Sequence, residues 1–132
     1  PVVVPALRKR NEVLAIDQPE LHIHPAVQVG LGDLFIEAAE ADMEHWFLSA
    51  KVLLIETHSE HILLRLLRRI RETTANELPP GVKGLSPEHL SVIYVEGDGK
   101  GVRFRSLQVD NDGEFRDQWP HGFFEERAGE LF

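Results

Sequence analysis

The sequence predicts an α/β fold in which strands and helices alternate through the first half, followed by a β-hairpin and an irregular tail. Three observations carry this. Two continuous apolar runs stop at polar clusters, a stretch with helical spacing of apolar residues follows each run, and a glycine-rich turn separates two strand-like segments further on.

Val13-Leu14-Ala15-Ile16 is apolar without alternation, the pattern of a parallel strand buried on both faces, and it ends at Asp17-Gln18-Pro19. From Pro25, apolar residues at Val27, Leu31, Leu34, Phe35 and Ala38 form one helical stripe, with proline in its favoured first position. Gly30 and Gly32 weaken that helix, each by about 1 kcal/mol relative to alanine where exposed. Val52-Leu53-Leu54-Ile55 reads as a second buried strand and gives way to Glu56-Thr57-His58-Ser59-Glu60. Thr57 and Glu60 have the spacing of a capping box, which opens a second helix. Its apolar stripe is Ile62, Leu63, Leu66, Leu67 and Ile70, leaving Arg65, Arg68, Arg69 and Glu72 to the other faces.

Strand, helix, strand, helix implies a parallel sheet, whose ligands bind at the carboxyl ends of the strands. Asp17 and His58 therefore emerge from the same sheet edge. Residues 73–89 are rich in proline, glycine and polar residues and read as a connecting loop of weak structure. Leu90 to Glu96 and Val102 to Val109 flank Gly97-Asp98-Gly99-Lys100-Gly101, the chemistry of a hairpin turn. Beyond Asp110, acidic residues mix with Trp119, Phe123, Phe124 and Phe132 in a tail expected to pack as an irregular cap. The chain thus divides in sequence into segments 1–72, 73–89 and 90–132.

A length of 132 residues suits a single domain, and 42% hydrophobic with 27% charged residues is the mixture of an ordinary soluble protein. No stretch approaches the roughly 18 uninterrupted apolar residues of a membrane span. The absence of cysteine removes disulfides and thiolate metal sites, and it fits a cytoplasmic protein with no export signal at PVVVPALRKRN. A net charge of −8 argues against broad electrostatic attraction to nucleic acid. Basic runs at Arg8, Lys9 and Arg10, and at Arg65, Arg68, Arg69 and Arg71, read as solvated faces.

The chemistry concentrates in Leu14-Ala15-Ile16-Asp17-Gln18-Pro19-Glu20-Leu21-His22-Ile23-His24-Pro25. A carboxylate fixed at a strand end can bind Mg²⁺ directly or through its water shell while nucleotide phosphates supply other ligands. The stretch resembles the Walker B strand and following loop of ABC-type ATPases of the SMC, RecF and OLD-like kind, whose usual form is four apolar residues and D-E-P-E-L-H-L-H-P. Asp17, Pro19, Glu20, Leu21, His22, Ile23, His24 and Pro25 match outright or conservatively. Gln18 stands where that family has its catalytic glutamate. A carboxylate is a general base and an amide is not, so binding of ATP and Mg²⁺ is expected to survive while hydrolysis slows. Gln18 marks either an engineered hydrolysis-deficient form or a naturally slow ATPase.

Val52-Leu53-Leu54-Ile55-Glu56-Thr57-His58-Ser59 resembles the switch or H-loop of the same family, in which the histidine reaches the γ-phosphate. The resemblance implies that His58 senses that phosphate. His22 and His24 form an H-x-H pair open to a transition-metal reading. The competing reading, which the resemblance favours, makes Glu20, His22 and His24 part of a D-loop-like segment that approaches a second ATPase head. His61 reads as a helix-surface histidine. Val95-Glu96-Gly97 echoes a TOPRIM nuclease strand, but only 13 residues separate Glu96 from Asp110, room for a hairpin alone. Asp110-x-Asp112-Gly113 through Trp119-Pro120-His121-Gly122-Phe123-Phe124 looks instead like the short domain of unknown function that ends many predicted bacterial ATPases of this group.

The resemblance implies a partial P-loop NTPase fold, an ABC-ATPase head with parallel core strands. Neither a G-x-x-x-x-G-K-[ST] phosphate loop nor an LSGGQ-like signature occurs in the sequence, and in the family both precede the Walker B strand. The expected partners are therefore the N-terminal part of the same ATPase, a second head in a homodimer, and an effector nuclease or nucleic acid, without a membrane. DNA repair and anti-phage defence are the processes the resemblance suggests. A non-hydrolysing regulatory ATP-binding module, and a metal-dependent hydrolase built on His22, His24 and His58, are the alternatives.

Overall fold

The structure, a computed structural model, describes residues 12–39, 51–97, 99 and 101–118. The Arg8–Arg10 basic run and the aromatic residues Trp119, Phe123, Phe124 and Phe132 lie outside the described residues. The chain is mixed α/β, with a parallel two-stranded sheet and an antiparallel hairpin. It forms two compact units whose boundary falls between Leu66 and Leu67, inside a helix; residues 79–83 group with the first unit and those from Gly84 onward with the second. No described helix is long and apolar enough to cross a membrane.

In the first unit, β1 (Glu12–Asp17) leads through a tight loop to α1 (Pro25–Ala39), and β2 (Lys51–Glu56) leads to α2 (Glu60–Thr74). β1 and β2 pair in parallel, with Val13 beside Val52, Leu14 beside Leu53 and Asp17 beside Glu56. Leu31 and Phe35 of α1 and Ile62 of α2 form the core, against which Ile16, Leu53 and Ile55 pack from the sheet and Ile23, Leu34 and Leu66 from around it. Burial of side chains of this size contributes about 2 kcal/mol each.

The expectation of strands buried on both faces is corrected. Leu14, Ile16, Leu53 and Ile55 are half-buried, whereas on the opposite face Val13 is 71%, Val52 57% and Leu54 61% exposed. A period-2 backbone sends alternate residues to opposite faces, and among the described residues the helices cover only one of them.

Helix α1 opens where proline predicts. The His24 carbonyl accepts the N–H groups of Val27 and Gln28, and the His24 imidazole Nδ1 accepts that of Ala26. Gly32 is buried at the approach of α1 to α2: a Cβ there would sit 2.7 Å from Arg65 Cγ and 2.9 Å from Arg65 Cβ. Gly30 is exposed with open space around it. The two glycines look alike in sequence, and only one has a packing reason.

Helix α2 is not opened by the expected Thr57–Glu60 box. Its cap is Ser59, whose hydroxyl accepts the Ile62 N–H and whose carbonyl accepts that of Leu63. The helix begins at Glu60, so Ser59 occupies the preceding position and Thr57 is free for another role.

In the second unit, Arg69 and Glu72 are buried, contrary to the expectation of solvated faces. Glu72 accepts a hydrogen bond from Arg68 Nε at 2.6 Å and another from Arg69 Nη1. Burial pushes the Glu72 carboxyl up, but the hydrogen bonds and positive charges of Arg68 and Arg69 outweigh it and leave the group below its ordinary value. The Arg65 guanidinium, in the first unit, stands 3.8 Å from Asp33.

The segment from Thr73 is more ordered than its composition predicts. Asn76, at φ 57°, ends α2: the Glu77 N–H bonds to the Glu72 carbonyl and the Asn76 N–H to that of Thr73, a Schellman arrangement. The Thr73 hydroxyl donates to the Arg69 carbonyl and accepts the Leu85 N–H, tying the loop back to the helix. A single 3-10 turn, Pro87–His89, precedes the hairpin of β3 (Val92–Gly97) and β4 (Val102–Leu107). Register places Tyr94 beside Arg105, Val95 beside Phe104 and Glu96 beside Arg103.

Candidate functional site

The two polar clusters meet at the carboxyl edge of the parallel pair, as their position after two strands predicts. Asp17 is the last residue of β1 and Glu56 that of β2; they are register partners, and both are exposed. They share the open face with Val13, Ala15, Val52 and Leu54, because paired residues of parallel strands project alike and the period is two. Sequence reasoning passed over Glu56. Its signal was present: both apolar runs end in isoleucine followed by a carboxylate.

Past Asp17 the chain turns sharply. The Gln18 N–H continues the ladder to the Glu56 carbonyl at 2.9 Å, and its own carbonyl accepts the Leu21 N–H. Gln18 adopts φ 41° and His22 φ 64°, both in the left-handed region that disfavours residues with a Cβ. Such conformations persist where the surroundings over-determine them. Here the turn is closed again by the Ile23 N–H bonding to the Glu20 carbonyl at 2.9 Å.

Between those two residues, Glu20 reaches across to the second loop. Its Oε2 accepts the Thr57 hydroxyl at 2.8 Å, and its Oε1 accepts the His58 main-chain N–H at 2.8 Å. Thr57 Oγ1 in turn accepts the Ser59 N–H at 3.0 Å. A second tie runs beside the first: Gln28 Nε2 donates to the Ile23 carbonyl, and Gln28 Oε1 accepts the Ser59 hydroxyl at 2.7 Å. Glu20, Pro25, Gln28, His58, Ser59, Glu60 and His61 line a groove at this junction. The His58 side chain is exposed above it, while Ser59 is buried.

Of the site residues expected from sequence, Asp17 thus ends β1, His58 follows the adjacent β2, and Glu20 joins the two loops beyond those strands. His24 does other work. Its Nδ1 accepts the Ala26 N–H at 3.2 Å, which engages that nitrogen at the start of α1. No group of three or more metal-ligating side chains occurs among the described residues. His22 is exposed in the turn, and His61 is half-buried in the first turn of α2. Asp110 Oδ1 accepts the N–H groups of Asp112 and Glu114, closing a turn on itself.

No curated protein and no solved structure matches the chain. A family model described as "Protein of unknown function (DUF3696)" matches residues 85–132, the part that includes β3, β4 and the Asp110 turn.

Proposed function

We propose that this chain is the C-terminal part of an ABC-type ATPase head, which closes with a second head on ATP and Mg²⁺ and drives a partner or fused effector. The observation that carries the reading is that Asp17 ends one strand and His58 closely follows its parallel neighbour, with the loops beyond the strands joined through Glu20. A carboxyl edge of this kind is where α/β sheets bind ligands.

The residues suit the ligands. Asp17 and Glu56 offer exposed carboxylate oxygens at the strand ends, the hard donors that Mg²⁺ takes. Mg²⁺ would supply charge neutralisation of the phosphates there. His58 presents an exposed imidazole beside the capped start of α2, suited to meeting a phosphate oxygen. The open face of Val13, Val52 and Leu54 also agrees with the reading, since parallel sheets are covered on both sides and the phosphate-loop portion of a head would provide such a cover.

Gln18 sets the activity. Its side chain lacks the basicity to take a proton from attacking water, so the full-length protein, which would supply the phosphate loop, is expected to bind ATP and turn it over slowly. In the full-length protein, Gln18→Glu is expected to raise ATP turnover by about 10²-fold or more. Asp17→Asn in that background is expected to abolish the Mg²⁺-dependent rate. Absence of turnover in the Gln18→Glu protein, together with absence of ATP binding, rejects the reading. Tight ATP binding without turnover supports instead a regulatory module in which ATP acts as a clamp, a reading favoured by an amide at this position.

A further inference from the structure

We propose that Glu20 is a positioning residue that sets His58 for γ-phosphate recognition. The inference rests on the ATPase reading above and adds to it how the two loops depend on each other. Glu20 and His58 lie 38 positions apart in sequence, and one carboxylate joins them.

Both oxygens of that carboxylate are committed. Oε1 takes the His58 N–H and Oε2 the Thr57 hydroxyl. Thr57 Oγ1 already accepts the Ser59 N–H, so its own proton is directed to Glu20. Residues 57–59 are therefore tied to Glu20 through the Thr57 hydroxyl and the His58 main-chain N–H, and to the start of α2 through the Ser59 cap. An imidazole carried on a fixed main chain keeps its approach to a phosphate; one on a loose loop does not, and a misplacement of about 1 Å is costly in a recognition site.

Glu20 is itself held. The left-handed residues Gln18 and His22 bracket it, and the Leu21-to-Gln18 and Ile23-to-Glu20 hydrogen bonds close the turn on both sides. The Gln28 side chain, from α1, bonds the Ile23 carbonyl and the Ser59 hydroxyl, a second link beside the first. The loop after Asp17 cannot shift without carrying His58 with it. Glu20 touches no reacting atom; it acts through His58.

The test compares Mg-ATP and Mg-ADP binding to the full-length protein with Gln18 in place, so that slow hydrolysis leaves binding readable. The unsubstituted protein is expected to prefer ATP. Glu20→Ala is expected to narrow the ATP-to-ADP preference about tenfold while the Kd for ADP stays the same, the size of effect that follows from losing a charge-assisted contact to the sensor. Glu20→Gln, which keeps one acceptor for the His58 N–H and guards against a folding defect, is expected to retain part of the preference. A merely structural role would weaken both nucleotides alike. An unchanged preference in Glu20→Ala, or equal weakening of ATP and ADP, overturns the proposal while leaving the ATPase reading in place. Failure of the unsubstituted protein to bind either nucleotide overturns that reading and the role of Glu20 with it.

Discussion

The Ser59 hydroxyl donates to Gln28 Oε1 at 2.7 Å while accepting the Ile62 N–H at 3.2 Å, so one buried side chain both caps α2 and anchors α1. Removing it withdraws a helix cap and leaves a partly buried amide oxygen without this donor. Ser59→Ala is expected to lower stability by about 2 kcal/mol, read by urea unfolding. Thr57→Ala, which leaves the cap in place, should cost less; the reverse order would contradict the assignment of Ser59 as the cap.

The two glycines of α1 should respond oppositely to alanine. At exposed Gly30 nothing stands within 4 Å of an added Cβ, so Gly30→Ala should stabilise by up to about 1 kcal/mol through helix propensity. At Gly32 the new methyl would press on Arg65 Cβ and Cγ, atoms close to the α2 backbone with little freedom to move. Gly32→Ala is expected to destabilise by about 1 to 3 kcal/mol, the cost of overpacking. Thermal melts of the two variants moving in the same direction would count against this helix contact.

Gly113 adopts φ 70°, and a Cβ on it would overlap the Leu67 carbonyl oxygen, a backbone atom of α2. Left-handed strain and steric overlap therefore act together. Gly113→Ala should destabilise the second unit by about 2 kcal/mol or more. Hydrogen exchange would locate the effect: faster exchange around residues 108–116 and the second half of α2, with β1 and β2 little changed, is the expected pattern.

Glu72 makes stability depend on acid. Its carboxyl binds a proton less readily in the folded chain than in the unfolded one, because the bonds from Arg68 and Arg69 outweigh its burial. The stabilisation is fully present above the unfolded-state pKa and is lost as pH falls through the lower folded-state value. Glu72→Gln removes this contribution and should flatten the acid limb of a stability–pH curve. At neutral pH it should cost about 1 kcal/mol, since the carboxylate charge that pairs with Arg68 and Arg69 is replaced by a neutral amide. An acid limb identical to that of the unsubstituted protein would exclude Glu72 as a source of it.

Much of the candidate site was legible because strand ends are legible. Two apolar runs, each ending in a carboxylate, sufficed to place Asp17 and the Thr57-His58-Ser59 loop on one sheet edge. The pairing of Glu20 with His58 was not legible, since a hydrogen bond across 38 positions leaves no periodic trace. Thr57 illustrates the difference. Its spacing to Glu60 satisfied a local capping rule, yet Glu20 offered its hydroxyl a charged acceptor and Ser59 took the cap.

Local chemistry by itself determined the order of strands and helices, the proline opening of α1, the glycine-bearing hairpin and the amide at position 18. These depend on backbone preferences and on side-chain periods of about two and 3.6 residues, which neighbours in sequence express without help. Tertiary structure alone decided which face of β1 and β2 stays open, that Arg69 and Glu72 are buried together, that Gly32 and Gly113 sit where no Cβ fits, and that Glu20 holds His58. Each of these depends on what another segment brings within contact distance. Packing and hydrogen bonding act at a few ångströms in space, whatever the separation along the chain.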